Sequence, residues 1–269
     1  MRKLCAFLVF SILFFGMNSY SSATLVGSWS FDEGAGNIAY DSSGSNNAGT
    51  IYGASWVPGA LSFDGLDDYV MVPNSPSINT NTFTVSARVS FDDIERNNPI
   101  LDKRNGQWHR NFGLYYIAND AQPTGIAQDY LLVSIGDGSF VASTYLTAAY
   151  APVSLDVNRF YNIAATYDQQ NLNLFLDGVS IATKSISMPG ITGNGDLYIG
   201  SHSDPNSYGG RTDGIIDGVR IYDHALSQAE ILTDGSAPVP EPATVLLLGS
   251  GLIGLAGIRR GKLKKREVA

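Results

Sequence analysis

The chain contains a single cysteine, Cys5, and only three histidines, His109, His202 and His224. Between residues 24 and 238 it holds nine Lys/Arg and three glutamates, Glu33, Glu95 and Glu230. Each shortage excludes something. Cys5 falls in an N-terminal segment expected to be removed, so the mature chain is left with no disulfide, no thiolate nucleophile and no cysteine metal site. None of the histidines has a second one at metal-ligand spacing. The nine basic residues face twenty-three Asp/Glu, a net charge of −14 for this stretch against −8 for the whole chain. Such a body is repelled by nucleic acid and by anionic lipid. No Gly-x-Ser-x-Gly elbow occurs. The Gly-rich stretch 191–196 is not followed by Lys-Ser/Thr, so it does not read as a phosphate loop.

The two ends are distinctive. Arg2 and Lys3 precede an almost unbroken apolar stretch, 4–17, and small residues Ser21-Ser22-Ala23 follow, the layout of a secretory signal peptide over 1–23. Cys5 lies at the start of the apolar stretch, where a lipoprotein acceptor cysteine would follow it. At the other end come Pro240-Glu241-Pro242, an apolar run over 243–258 and a basic tail over 259–269 with six Lys/Arg. As a helix those sixteen residues are roughly 24 Å long, a little short of the roughly 20 residues that span a bilayer. Long basic side chains beyond Ile258 can extend the span by snorkelling and hold that end in the cytoplasm. The motif over 239–242, the span and Arg259-Arg260 directly after it resemble the PEP-CTERM sorting signal of Gram-negative bacteria. That resemblance implies a passing stay in the inner membrane with the body outside, processing near the motif by the membrane protease exosortase, and delivery to the cell surface or extracellular matrix. Residues 237–269 are assigned to this signal.

Residues 24–236 form the body, expected to be one domain. Its acids are almost all aspartate, which favours turns. Segment 25–31 alternates large residues, and 83–91 alternates apolar with polar, the mark of a half-buried strand. Further strands are predicted over 131–135 and 161–167. A hairpin is predicted from 172–176 through Asp177-Gly178 to 179–181, because Asp-Gly supplies a type I′ turn; Leu172, Leu174 and Leu176 would share one face. Ser227-Gln228-Ala229-Glu230 is a capping box opening one short helix, with Ile231 and Leu232 packing it onto the strands. Short strands, Gly/Asn/Asp turns and one helix predict an all-β, two-sheet antiparallel sandwich or jelly roll.

Four segments then resemble the LamG-like, concanavalin A-like jelly-roll family. They are Trp29-Ser30-Phe31-Asp32-Glu33-Gly34; Leu61-Ser62-Phe63-Asp64-Gly65 with Asp68-Tyr69-Val70; Leu176-Asp177-Gly178; and Ile216-Asp217-Gly218-Val219-Arg220-Ile221-Tyr222 with Ala225-Leu226-Ser227. The resemblance implies a fold that hosts sugar binders, protein binders, adhesins and glycosidases alike. It also implies one calcium at the sandwich rim, for which Asp41 and Asp217 are the candidates with Asp213 behind them. The loop 41–47 is rich in oxygen ligands, and Asx-turn chemistry accounts for the same residues without a metal. Laminarinase-type relatives carry alternating carboxylates on one strand. Here the nearest sequence is Phe91-Asp92-Asp93-Ile94-Glu95, in which phenylalanine stands where the nucleophile belongs, so no enzymatic activity is expected.

Two stretches combine aromatics with hydrogen-bonding side chains. Trp108, His109 and Arg110 lie in 106–111, and His202, Tyr208 and Arg211 lie in 201–211. They are the candidate ligand-binding residues, since aromatic faces stack on sugar C–H surfaces while polar groups satisfy hydroxyls. Trp29 and Trp56 read as core or strand-edge residues. The expectation is an exported, non-enzymatic surface or matrix protein that binds an exopolysaccharide, another surface glycan or a surface protein. The alternatives are a structural matrix protein with no specific ligand and a divergent glycoside hydrolase.

Overall fold

The computed structural model describes residues 23–105, 109–118, 128–136, 147–186, 188, 191, 193–202 and 210–234. The expected signal peptide, apart from Ala23, and the sorting signal lie outside this set. Among the described residues no helix is long and apolar enough to cross a membrane.

The strands in chain order begin with β1 (Leu25–Trp29), β2 (Ile38–Ala39), β3 (Gly49–Tyr52), β4 (Ser55–Val57), β5 (Ala60–Asp64) and β6 (Tyr69–Val72). They continue with β7 (Phe83–Phe91), β8 (Asn98–Asn105), β9 (His109–Ile117), β10 (Tyr130–Ile135) and β11 (Ala148–Pro152). The last are β12 (Phe160–Tyr167), β13 (Asn171–Leu176), β14 (Val179–Ser185), β15 (Leu197–Ile199) and β16 (Asp213–Tyr222), followed by helix α1 (Gln228–Asp234). They form two antiparallel sheets. The first runs β14-β13-β12-β7-β16-β5-β4 with β1 also on β16, and the second runs β11-β10-β9-β8-β15-β6-β3-β2. The predicted all-β sandwich with one short C-terminal helix is what forms.

The period-two pattern explains the core. In β7, Phe83, Val85, Ala87, Val89 and Phe91 are buried in the core while Arg88 on the other face is exposed. From the second sheet Val70, Val72, Leu101, Phe112, Leu114, Tyr116, Leu131, Val133, Leu197 and Ile199 enter the same cluster. Burying each large side chain stabilises the sandwich by about 1.5–3 kcal/mol. Trp29 is fully buried at the centre, and its indole Nε1 donates to the Asn47 carbonyl at 2.8 Å. Trp56 lies on the edge strand β4, half-buried against the core.

The hairpin forms as predicted, with Asp177 at φ +48° and Gly178 at φ +76°, the left-handed pair a type I′ turn demands. Leu172 and Leu174 are fully buried and Leu176 packs against the same core, whereas Phe175 turns to the opposite face. Two expectations need correction. Segment 25–31 is not all strand: β1 ends at Trp29, and Phe31 adopts φ +55°, which breaks the extended backbone while keeping its ring in the core. Leu232 packs α1 only onto the hairpin turn and does not enter the buried cluster. It is 52 % exposed and lies beside Gly178, while Ile231 is buried with Ala164, Phe175 and Leu226. The capping box forms: the Ser227 amide donates to Glu230 Oε2 at 2.8 Å, and the Glu230 amide donates to Ser227 Oγ at 3.4 Å. These bonds from Ser227 hold the Glu230 carboxyl below its ordinary pKa.

Candidate functional site

Strand alternation gives the second sheet a face turned away from the core. On β8, β15 and β6 the residues in register there are Asp102, Tyr198 and Met71. Asp102 also faces Gly113 on β9, and Gly113 faces Ser134 on β10. This face carries two kinds of chemistry side by side.

The first is a row of tyrosines. Tyr52 and Tyr69 stack with ring centroids 4.6 Å apart and planes 17° apart. Tyr198 follows at 5.8 Å from Tyr69, tilted by 42°. Tyr52 is 40 % exposed, and Tyr69 and Tyr198 are half-buried. Burial, then the charge of Asp196, raises the Tyr198 pKa above its ordinary value, so the phenol stays a neutral hydrogen-bonding group.

The second is a buried polar network. Asp102 is fully buried. Its Oδ1 accepts from the Tyr115 hydroxyl at 2.7 Å, and Arg104 Nε lies 2.6 Å from its Oδ2. Arg104 Nη2 also donates to the Tyr115 hydroxyl at 3.0 Å. Burial opposes the Arg104 charge, but Tyr115 and Asp102 more than offset it and its pKa rises. Gly113 makes the arrangement possible. A Cβ there would stand 2.0 Å from the Tyr115 hydroxyl, because that ring folds back over the glycine. His202 joins from beyond β15, its Nδ1 3.9 Å from Asp102 Oδ2 and its ring 6.4 Å from that of Tyr115. Arg211 pairs across a β-bridge with Ser201 and donates from Nη1 to Ser201 Oγ at 2.7 Å. Its guanidinium carbon lies 6.0 Å over the Tyr69 ring.

Of the predicted ligand-binding residues, His202 and Arg211 are therefore brought to this face. His109 and Arg110 fall on β9, opposite Asn105 and Arg104, with only their backbone described. Trp108 and Tyr208 lie outside the described residues. The tyrosine row and the Asp102 network were not singled out from the sequence. The signal for the former is tyrosine at the non-core positions of Tyr69-Val70-Met71-Val72 and Leu197-Tyr198-Ile199.

The predicted calcium ligands do not converge. Asp41 spends both carboxylate oxygens on its own loop: Oδ1 accepts from the amides of Ser28 and Ser43, and Oδ2 accepts from that of Asn47, all at 2.9 Å. Asp217 is ion-paired with Arg88. Asp213 sits four residues away on β16, 3.9 Å from Arg96. Among the described residues the three carboxylates that do meet, within 4.8 Å, are Asp64, Asp67 and Asp68, which could hold a metal ion. Asp64 faces Asp213 in register. Burial, together with Asp64 and Asp67, raises the Asp68 pKa above 3.8, although the Asp64 amide bond opposes it. Asp93 and Glu95 lie beyond the end of β7, with Asp93 Oδ1 accepting from the Glu95 amide at 2.8 Å. They form a turn rather than a shared strand face.

A model of the concanavalin A-like lectin/glucanases superfamily matches residues 63–232, and the chain belongs to that superfamily. A model of the PEP-CTERM protein-sorting motif matches residues 238–260. The chain is thus an exported surface protein, and its tail carries the signal for processing by an exosortase-type membrane system. Similar folds occur in domain 4 of the arabinanase AbnA from Geobacillus stearothermophilus, solved with arabinotriose. The TM-score is 0.58 at 17 % identity, over 78 % of this chain and 98 % of that one. Trypanosoma rangeli sialidase in complex with sialic acid matches with TM-score 0.56 at 20 % identity, over 77 % of this chain and 32 % of that one. The binding domain of Paraclostridial Mosquitocidal Protein 1 matches with TM-score 0.56 at 19 % identity, over 78 % of this chain and 51 % of that one. The chain thus spans about a third of the sialidase, and these likenesses establish the fold. No curated protein sequence matches the chain.

Proposed function

We propose that the exported body is a non-catalytic module that binds an extracellular polysaccharide on the outer face of its second sheet. The observation that carries this reading is the row Tyr52–Tyr69–Tyr198 beside the Asp102–Arg104–Tyr115–His202 network. Binding a saccharide needs flat apolar surface for its C–H faces and a few fixed polar groups for its hydroxyls. The tyrosines supply the first. The buried network holds the sheet beneath them rigid, and the tyrosine hydroxyls supply the second. A non-catalytic role is favoured because Asp102 is committed to Tyr115 and Arg104, whereas glycoside hydrolysis needs two carboxyl groups flanking the bond. A domain 4 solved with arabinotriose on the same fold lends this reading support.

Affinity electrophoresis of the body through gels containing individual polysaccharides tests it. At least one should retard the wild type, and Tyr69→Ala or Tyr198→Ala should weaken that retardation by about tenfold, the loss of about 1.4 kcal/mol. Retardation by no polysaccharide, or unchanged retardation of both variants, would reject the face as a glycan site.

A further inference from the structure

The arginines of this body are nearly all spoken for. Arg88, Arg96, Arg104, Arg159 and Arg220 each lie within 4.0 Å of an aspartate. Among the described side chains Arg211 is the arginine that does not, in a body where carboxylates outnumber cations by more than two to one. It is also buried, at 8 % exposure. Among the described residues its hydrogen-bond acceptors are the neutral oxygens Ser201 Oγ at 2.7 Å and Gly210 O at 3.5 Å. Its Nε is enclosed and has no acceptor. A buried cation without a counter-charge is expensive, and so is a buried N–H without an acceptor. Both costs fall on the one side chain whose guanidinium overlies Tyr69, the middle ring of the tyrosine row.

We propose that Arg211 is the receptor for a carboxylate on the bound saccharide, so that the ligand class is an acidic, uronate-type glycan. This rests on the glycan-binding reading above. A planar guanidinium presents parallel N–H donors that match the two oxygens of a carboxylate. Nε is one of those donors and stands unused. The tyrosine row then carries the sugar rings, and Arg211 fixes their register by gripping a charged substituent. The rest of the body, at −14, repels polyanions at long range, so the preference is set locally by this residue and not by a general basic surface.

The experiment measures binding of the exported body to a polyuronate, a sulfated polysaccharide and a neutral polysaccharide by calorimetry, for the wild type, Arg211→Lys, Arg211→Gln and Tyr69→Ala. The wild type should bind the polyuronate at least about tenfold more tightly than the other two. Arg211→Lys, which keeps the charge but loses Nε and the planar fork, should lose most of that preference with melting temperature little changed. Raising salt to about 0.5 M should leave polyuronate binding intact or strengthen it, because salt screens the repulsion from the acidic body. Equal affinity for neutral and acidic chains would overturn the carboxylate assignment while leaving glycan binding in place. Equal affinity for sulfated and uronate chains would overturn it too, since charge alone would then be recognised. Binding to none of the three, with Tyr69→Ala indistinguishable from wild type, would overturn the assignment and the glycan reading together. If Arg211→Gln unfolds, the ligand comparison on wild type and Arg211→Lys still decides.

Discussion

The Tyr115 hydroxyl donates to Asp102 Oδ1 at 2.7 Å, although the two residues sit on neighbouring strands and are not directly opposed. The ring reaches the carboxylate by lying back across Gly113, which faces Asp102 in register. Gly113→Ala is therefore expected to expel the Tyr115 ring and take its hydroxyl away from Asp102. Overpacking and a lost buried hydrogen bond together should cost about 1–3 kcal/mol. Urea denaturation reads the loss. Tyr115→Phe keeps the ring and removes only the hydroxyl, so it should lose less than Gly113→Ala. If Gly113→Ala is as stable as wild type, the close approach of ring and glycine is not what holds the network.

Local rules account for much of the fold. The period-two run 83–91 coincides with β7, the Asp-Gly turn forms, and the Ser227/Glu230 box opens α1, because each depends on neighbours in sequence. The candidate site was less legible. Asp102-Lys103-Arg104 is a charged run of the kind that usually marks a solvated loop, yet all three are buried in β8. Their compensation comes from Tyr115, Asn74 and Gly195, which no local pattern connects to them. The tyrosine row likewise gathers side chains from β3, β6 and β15, which are remote in the chain. His202 and Arg211 could be picked out because a loop combining His, Tyr, Asp and Arg stands out by composition, but nothing in the sequence revealed that Arg211 would lack a carboxylate.

Lys103 sets up a pH dependence. It is 1 % exposed, and in register it lies between the core residues Leu197 and Phe112. Its Nζ donates to Asn74 Oδ1 at 2.9 Å and to the Gly195 carbonyl at 2.5 Å. Burial lowers its pKa to about 8 from 10.5, against the pull of Asp196. A depressed lysine favours folding in its neutral form, so this contribution is complete above 10.5 and is lost as pH falls through 8. Relative to Lys103→Met, the wild type should gain stability as pH rises from 8 to 10.5. The comparison is needed because buried Tyr116, Tyr198 and Tyr222, with raised pKa values, act in the opposite direction. Parallel curves for the two proteins would show that Lys103 titrates normally.

The Asp64, Asp67 and Asp68 cluster has the opposite sign. Asp68 accepts from the Asp64 amide at 2.9 Å, but burial and its two neighbours raise its pKa above 3.8. The stability it confers is present below 3.8 and is lost as pH rises through its folded value, so the ionised group is a cost at neutral pH. Asp68→Asn keeps an acceptor for the Asp64 amide and removes one charge. It should melt higher than wild type at pH 7, with the gap closing below 3.8. A divalent cation neutralising the cluster would raise the wild-type melting temperature and leave the variant unmoved. Equal responses to millimolar calcium would remove these carboxylates from consideration as a cation site.

The last described residue, Asp234, ties the C-terminal helix to the first sheet. Its carboxylate accepts from the Tyr222 hydroxyl at 2.5 Å and from Ser86 Oγ at 2.7 Å, while Arg220 Nη1 donates to its backbone carbonyl at 2.8 Å. Burial and this carboxylate raise the Tyr222 pKa, so the phenol remains a donor throughout the neutral range. Because Asp234 is itself buried, Asp234→Ala would strand the Tyr222 and Ser86 hydroxyls and remove the carboxylate 3.4 Å from Arg220, and should cost about 3 kcal/mol. Asp234→Asn retains an acceptor for Tyr222 and should cost less. The sorting motif begins at residue 238, close behind this clamp. Releasing it should therefore loosen α1. Hydrogen exchange can follow this: in Asp234→Ala the amides of Ile231 to Asp234 should lose protection by an amount matching the stability loss, while those of β9 and β10 in the second sheet change only as global stability changes. Full protection of α1 in the variant would mean that the capping box and Ile231 suffice to hold the helix, and that Asp234 does not anchor it.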